Sequence, residues 1–355
     1  MNLHQYQVET NRAVWRKFRD GCKSVLLQAP TGSGKTVMGA HLIKMWREHA
    51  SCTSIVFAHR REIVTQTASK LEMAGLTPEI IMAGFAPNPW ANVKVASIDT
   101  VWAAHKRGAS FPMADRVVID ECHRTTGRYV HVLEHYLKQS ATVLGLTATP
   151  IRTDGAGLGD HYQEMVCAPS TRWLIDNGYL APVEYCLGVI PNTKGVKLSG
   201  HDFNQEQLQQ VMDQKALIGD IVENWLKHAE GRSTMLFASG IKHSKHLVEQ
   251  FEAHGIPAVH VDGDTPPEER DSIYARSQSG EVKVVCNDSV YVEGTDFPWI
   301  SCLVDAHPTK SLTRYLQSGG RGLRTFAGKS NLLYLDHANN VYHHGRLESD
   351  REWEL

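Results

Sequence analysis

The segment Ala29-Pro30-Thr31-Gly32-Ser33-Gly34-Lys35-Thr36 follows an apolar run and opens a helical pattern. Glycines at such a junction let successive backbone N–H groups turn inward. Together with the positive end of the following helix they can wrap a phosphate chain. Lys35 would reach the outer phosphates, and Thr36 would give its hydroxyl to magnesium. Alanine stands at position 29 where the general pattern has glycine, so the match is Gly-x-Gly-Lys-Thr plus its context. The competing reading is a glycine turn with a solvated lysine. A second apolar run ends in Asp120-Glu121-Cys122-His123. There Asp120 would hold magnesium through water, and Glu121 would polarise an attacking water as general base. Adjacent carboxylates are common at strand ends, and the upstream loop favours the chemical reading.

These groups need a sheet to carry them. Short apolar runs at 24–27, 53–58, 93–96, 116–119 and 142–146 read as central strands of a parallel α/β sheet of at least five strands. Helices over 36–47 and from 62 alternate with them. Turn residues around 177–182 break the pattern, and a polar stretch over 191–214 follows. The domain boundary is expected near 182. A second series then starts: strands at 233–238, 258–261, 282–286, 302–305 and 331–335, with helices over 242–254 and 267–277. That is a second parallel sheet without a phosphate loop of its own.

The order of motifs resembles the superfamily-2 helicases, and more narrowly the group of the bacterial DNA repair helicase RadD. The resemblance covers nearly the whole chain. Asp-Glu-Cys-His at 120–123 looks like that superfamily's motif II, a DECH box, and adds His123 to the catalytic set. Thr147-Ala148-Thr149-Pro150 looks like motif III, in which Thr147 and Thr149 would couple hydrolysis to domain movement. The run from Thr147 to Gly159, with Arg152 and Asp154-Gly155, resembles the closer group. Gly294-Thr295-Asp296-Phe297-Pro298 resembles motif V, which places Gly294 and Asp296 at the nucleotide. Gln317, Arg321 and Arg324 match motif VI, Gln-x-x-Gly-Arg-x-x-Arg, and the resemblance implies that both arginines face ATP held by the first domain. An arginine fork neutralises charge developing on a transferred phosphoryl group. Leu3, Tyr6 and Gln7 resemble the adenine-recognising segment, with His4 where the family has arginine.

For nucleic acid, His59 and Arg60 resemble motif Ia, Thr100 sits where motif Ib lies, and Ser239-Gly240 resembles motif IV. Gly263-Asp264-Thr265-Pro266 resembles a stretch near the bound strand in the RadD group. Asp264 and Thr265 would touch phosphate there; the alternative is a Pro-started helix capped by Thr265, and the two can hold at once, since a helix N-terminus can carry a nucleic-acid phosphate. Between the strand at 282–286 and Gly294 the family reads Asn-x-x-Val-Leu-Thr-x-Gly. Here Asp288 and Glu293 put two carboxylates into that run.

The resemblance therefore implies two tandem RecA-like domains, 1–182 and 183–345, with a short tail at 346–355. ATP and magnesium would lie in the cleft, and a nucleic-acid strand would be moved as the cleft opens and closes. DNA, single-stranded, forked or branched, is the expected substrate in repair, recombination or replication restart, with RNA as the alternative. A P-loop small-molecule kinase or a clamp without turnover are the rivals from other classes. A single-stranded-DNA-binding protein or other repair factors would be partners, and the protein is expected to be a monomer.

Composition bounds these readings. The 355 residues are 42% hydrophobic and 21% charged, which excludes a disordered chain and allows two domains of ordinary size. A net charge of −2 gives no global basic signal, so a polyanion must be held locally. Seven scattered cysteines without a Cys-x-x-Cys pair predict reduced thiols rather than a zinc module. No leader pattern and no apolar run near the ~20 residues of a membrane span is present. The expected location is cytoplasmic, at the nucleoid if bacterial or in the host cytoplasm if viral.

Overall fold

A computed structural model describes residues 3–124, 127–152, 155–292, 294 and 296–355. It divides into two compact units, 1–170 with 351–355, and 171–350. The separation falls between Ser170 and Thr171 rather than at 182. The reason is pairing: Leu180 bridges Arg324, Ala181 N donates to Leu323 O at 2.7 Å, and Leu332 N donates to Pro182 O at 2.8 Å. The expected tail is likewise replaced. Residues up to Asp350 join the second unit, where buried Glu348 accepts from Tyr185 Oη at 2.6 Å. Leu355 packs into the first unit's core beside Leu158 and Tyr162.

The first unit is a seven-stranded sheet of β1 (Ser24–Gln28), β2 (Ser54–Ala58), β3 (Glu79–Ile81), β4 (Val93–Ser97), β5 (Arg116–Asp120), β6 (Thr142–Thr147) and β7 (Glu164–Cys167). The strands are parallel, in the order β3-β4-β2-β5-β6-β1-β7. Successive side chains enter opposite layers: Val25 and Leu27 join one apolar cluster and Leu26 the other. That two-sided burial is why the central strands read as unbroken apolar runs. The edge strands β3 and β7 are short and only partly buried, so no long apolar run announces them. Helices α1 (Gln5–Arg19), α2 (Lys35–His49), α3 (Arg61–Met73), α4 (Ile98–Lys106) and α5 (Arg128–Lys138) flank the sheet.

The second unit begins with α6 (Thr171–Asp176) and the edge strand β8 (Val183–Leu187). The polar stretch is structured: a two-strand hairpin, β9 (Leu198–Ser199) and β10 (Asp202–Phe203), leads into α7 (Gln205–Met212). Asn204 Oδ1 caps α7 by accepting from Gln207 N at 3.1 Å. Next, α8 (Lys215–His228) buries Ile218, Ile221, Val222 and Trp225 on one face. The remaining elements are β11 (Thr234–Phe237), α9 (Ile241–Ala253), β12 (Ala258–Val261), α10 (Pro267–Ser279), β13 (Val284–Asn287), β14 (Cys302–Asp305), α11 (Leu312–Gly320), β15 (Leu332–Asp336) and α12 (Asn340–His344). Together with β8 these five strands form a six-stranded parallel sheet in the order β12-β13-β11-β14-β15-β8. No helix among the described residues is long and apolar enough to cross a membrane.

Candidate nucleotide and nucleic-acid sites

In the first unit three strands deliver chemistry at their carboxyl ends, where open α/β sheets form their crevices. From β1 the chain passes through Pro30, Thr31, Gly32, Ser33 and Gly34 into α2, with Gly32 and Gly34 at φ 88° and 85°. Side chains rarely adopt that backbone, and a Cβ on Gly34 would lie 2.6 Å from Gln7 Nε2. Ala29 N donates to Thr147 O at 2.9 Å, tying the loop's entry to β6. Lys35 Nζ donates to Ala29 O at 3.4 Å, and Thr36 follows it in the first turn of α2. First-turn N–H groups lack helical partners, so the loop offers donors to an anion.

Tyr6 and Gln7 brace this loop from α1. Tyr6 Oη and Gln7 Nε2 both donate to Ser33 O, at 2.7 and 2.9 Å, while Gln7 Oε1 accepts from His4 N at 3.0 Å. Both side chains are buried. The amide expected to read an adenine edge is thus engaged at both ends, by the phosphate loop and by the start of its own helix. His4 stacks over Tyr6, with ring centroids 6.0 Å apart and planes at 7°.

Asp120 closes β5, nearly buried, and its Oδ1 accepts from Glu121 N at 3.0 Å. Glu121 is held at φ 50°, a strained conformation for a residue with a side chain. His123 Nδ1 lies 3.3 Å from Glu121 Oε2 and 3.1 Å from Thr147 Oγ1. Because the Thr147 hydroxyl donates to Thr149 O at 2.9 Å, the imidazole must be the donor, its one Nδ1–H shared between Glu121 and Thr147. Thr147 Oγ1 also accepts from Thr149 N at 3.1 Å, and both threonines are fully buried. Cys122 is also buried, which raises its thiol well above the usual range, so this cysteine packs rather than reacts. The oxygen donors Thr36 and Asp120, beside a loop of backbone donors, fit a magnesium nucleotide. His59 and Arg60 lie where β2 gives way to α3, and Thr100 N donates to Ser97 Oγ at 3.4 Å in the cap of α4. Arg152 is described, whereas Asp154 lies outside the described residues.

In the second unit the expected motif V and VI residues meet. Arg321 Nε donates to Val292 O at 2.9 Å and Nη1 to Gly294 O at 3.4 Å. Arg324 Nε lies 2.9 Å from Asp296 Oδ1, and its Nη1 has no hydrogen-bond partner among the described residues. Gln317 is buried in α11. Thr295 and Glu293 lie outside the described residues. Asp288 Oδ1 accepts from Ser289 Oγ at 3.1 Å.

Two expected nucleic-acid contacts differ. Ser239 is fully buried and its hydroxyl donates to Ala306 O at 2.7 Å, so it knits β11 to β14 instead of facing solvent. Gly240 has φ 143°, and a Cβ there would strike Gln209. Thr265 does not cap α10, whose N-cap is Pro266 without a side-chain bond. Its hydroxyl and N–H instead meet Asp262 Oδ1 at 3.1 and 3.0 Å, while exposed Asp264 donates its N–H to the same oxygen at 3.0 Å. Asp262 escaped notice in the sequence. Its signal is an Asp two and three residues before the N–H groups of an Asp-Thr pair, a side-chain turn.

A family model described as type III restriction enzyme, res subunit, matches residues 1–152, and one described as helicase conserved C-terminal domain matches 202–326. In both of its units the chain thus resembles the domains of superfamily-2 helicases. The chain is 29% identical to a 51.5 kDa protein of a Lactococcus phage, over 92% of this chain and 68% of that one. It is 30% identical to a candidate mitochondrial ATP-dependent helicase, irc3, of Schizosaccharomyces pombe, over 96% of this chain and 58% of that one. The chain thus spans 68% and 58% of the length of these two relatives. Its fold is that of a fragment of a candidate HsdR subunit of a Vibrio vulnificus type I restriction enzyme, with TM-score 0.74, 20% identity and coverage of 96% and 66%. It is also that of the ATP-dependent type ISP restriction-modification enzyme LlaBIII bound to DNA, with TM-score 0.70, 18% identity and coverage of 94% and 27%.

Proposed function

We propose that this chain is a DNA-stimulated ATPase and translocase of the RadD-like repair group, serving repair, recombination or replication restart. The observation that carries the reading is the His123 bridge, 3.3 Å from Glu121 and 3.1 Å from Thr147, because it links a candidate base to the strand end that would report hydrolysis. Lys35 and the loop amides bind the β- and γ-phosphates, and Thr36 with Asp120 holds magnesium. Bound magnesium supplies neutralisation of phosphate charge. Glu121 orients the attacking water and accepts its proton. Arg321 and Arg324 are assigned to the charge that develops on the transferred phosphoryl group. His59, Arg60, Thr100 and the Asp264-Thr265 turn are assigned to the strand. For DNA the support is the likeness to LlaBIII, whose structure holds DNA.

The test is ATP turnover of the full chain with and without single-stranded, forked and four-way DNA, and with matching RNA. DNA stimulation that Lys35→Ala abolishes is expected. Stimulation by RNA alone would replace DNA with RNA in this reading, and phosphate transfer to a metabolite would sink it.

A further inference from the structure

Helix α11 runs out at Gly320, and the chain beyond it carries Arg321 and Arg324 before turning back into β15. A helix end leaves carbonyls that need partners from elsewhere. The carbonyls of Gly322 and Arg324 both receive Lys329 Nζ, at 2.5 and 2.8 Å. Lys329 is delivered by a tight turn in which its N–H donates to Phe326 O at 3.0 Å, with Gly328 at φ 82°. That backbone conformation favours glycine and folds the lysine under the segment it grips.

The other edge of the same segment is also held. Leu323 O accepts from Ala181 N at 2.7 Å, and Arg324 bridges Leu180. A Cβ on Gly322 would lie 2.5 Å from Leu332 Cδ1, which shows how closely the backbone is pressed on β15. Two charged groups act on Lys329. Arg324 repels it and Asp296 attracts it, and with burial as the largest cause the ammonium is lowered to about 7. A lysine placed half-buried beside an arginine is unfavourable unless its bonds are needed.

We propose that Lys329 is a positioning residue for Arg324: by tying the carbonyls of Gly322 and Arg324 it fixes where the Arg324 guanidinium is presented. The inference rests on the phosphate-facing reading of Arg324 given above. Charge-assisted bonds need the ammonium, so the clamp is strong at pH values below about 7 and weakens above.

The experiment measures DNA-stimulated ATP turnover of the full chain for Lys329→Met and Lys329→Arg, with Arg324→Ala as reference. Lys329→Met is expected to lower kcat about tenfold while KM for ATP and DNA affinity stay within about twofold, as for a misplaced catalytic group. Lys329→Arg, which can still reach both carbonyls, should restore most of kcat. Wild-type kcat should decline as pH rises from about 6.5 to 8.5, and Lys329→Arg should remove that decline. Wild-type turnover in Lys329→Met, or an Arg variant no better than Met, overturns the inference. Where Lys329→Met does not fold, a flat wild-type profile overturns it. Normal turnover in Arg324→Ala would instead refute the reading of Arg324 itself, and the two failures are distinct.

Discussion

Thr147→Val tests the link between β5 and β6 most directly, because valine keeps the shape of threonine and removes only the hydroxyl. That hydroxyl donates to Thr149 O at 2.9 Å, accepts from Thr149 N at 3.1 Å and stands 3.1 Å from His123 Nδ1. The residue is fully buried, so no water replaces the lost partners. A buried group left unsatisfied costs about 1–3 kcal/mol, and two backbone groups plus part of one imidazole N–H come to roughly 2–5 kcal/mol. For a unit of this size that is a fall in melting temperature of roughly 5–15 °C. Thr147→Ser keeps the hydroxyl and loses one methyl, about 1 kcal/mol. Calorimetry of the full chain, following the transition of the first unit, measures the difference. A Val variant as stable as the Ser variant would refute the hydrogen-bond network as drawn. Turnover gives a second readout: with Thr147 Oγ1 gone, the His123 N–H falls wholly to Glu121, and ATP hydrolysis should slow in Val but not in Ser.

Gly34→Ala should weaken nucleotide binding by about tenfold or more, since φ 85° costs a side chain about 1–2 kcal/mol and the new Cβ displaces the Gln7 amide 2.6 Å away. Titration with a fluorescent ATP analogue checks this, and unchanged affinity would show that the loop moves freely. His243 sets a pH dependence, because burial lowers its imidazole to about 4, with Nδ1 accepting from Ser239 N at 3.2 Å. The folded chain keeps it neutral while the unfolded chain protonates near pH 6.5, so its contribution is complete above about 6.5 and is lost as pH falls toward 4. Up to roughly 3 kcal/mol is at stake at about 1.4 kcal/mol per pH unit. Urea midpoints at pH 7.5 and 5 should converge in His243→Asn relative to wild type, and an equal drop in both would exclude His243 as the source.

Much of the architecture was legible because central strands of a parallel sheet bury both faces and so write unbroken apolar runs, as at Val117-Val118-Ile119. The glycine-rich loop and the carboxylate pair stand out for the same local reason: each sits immediately after such a run. The edge strands at 79–81 and 164–167 and the elements within 191–228 were not legible, since half-exposed or short segments carry mixed residues.

Sequence by itself determined the two α/β series, the order of the motifs and the residue types at each strand end. Tertiary structure decided what those side chains do with their bonds. Gln7 is committed to Ser33, 26 positions on, and Ser239 to Ala306, 67 positions on. The unit boundary moved to 170 because Leu180 and Ala181 pair with Leu323 and Arg324, far along the chain. Periodicity and spacing report only which face a residue shows to its neighbours. Hydrogen bonds that close across a fold depend on where distant backbone groups arrive, and only the packed sheet sets that.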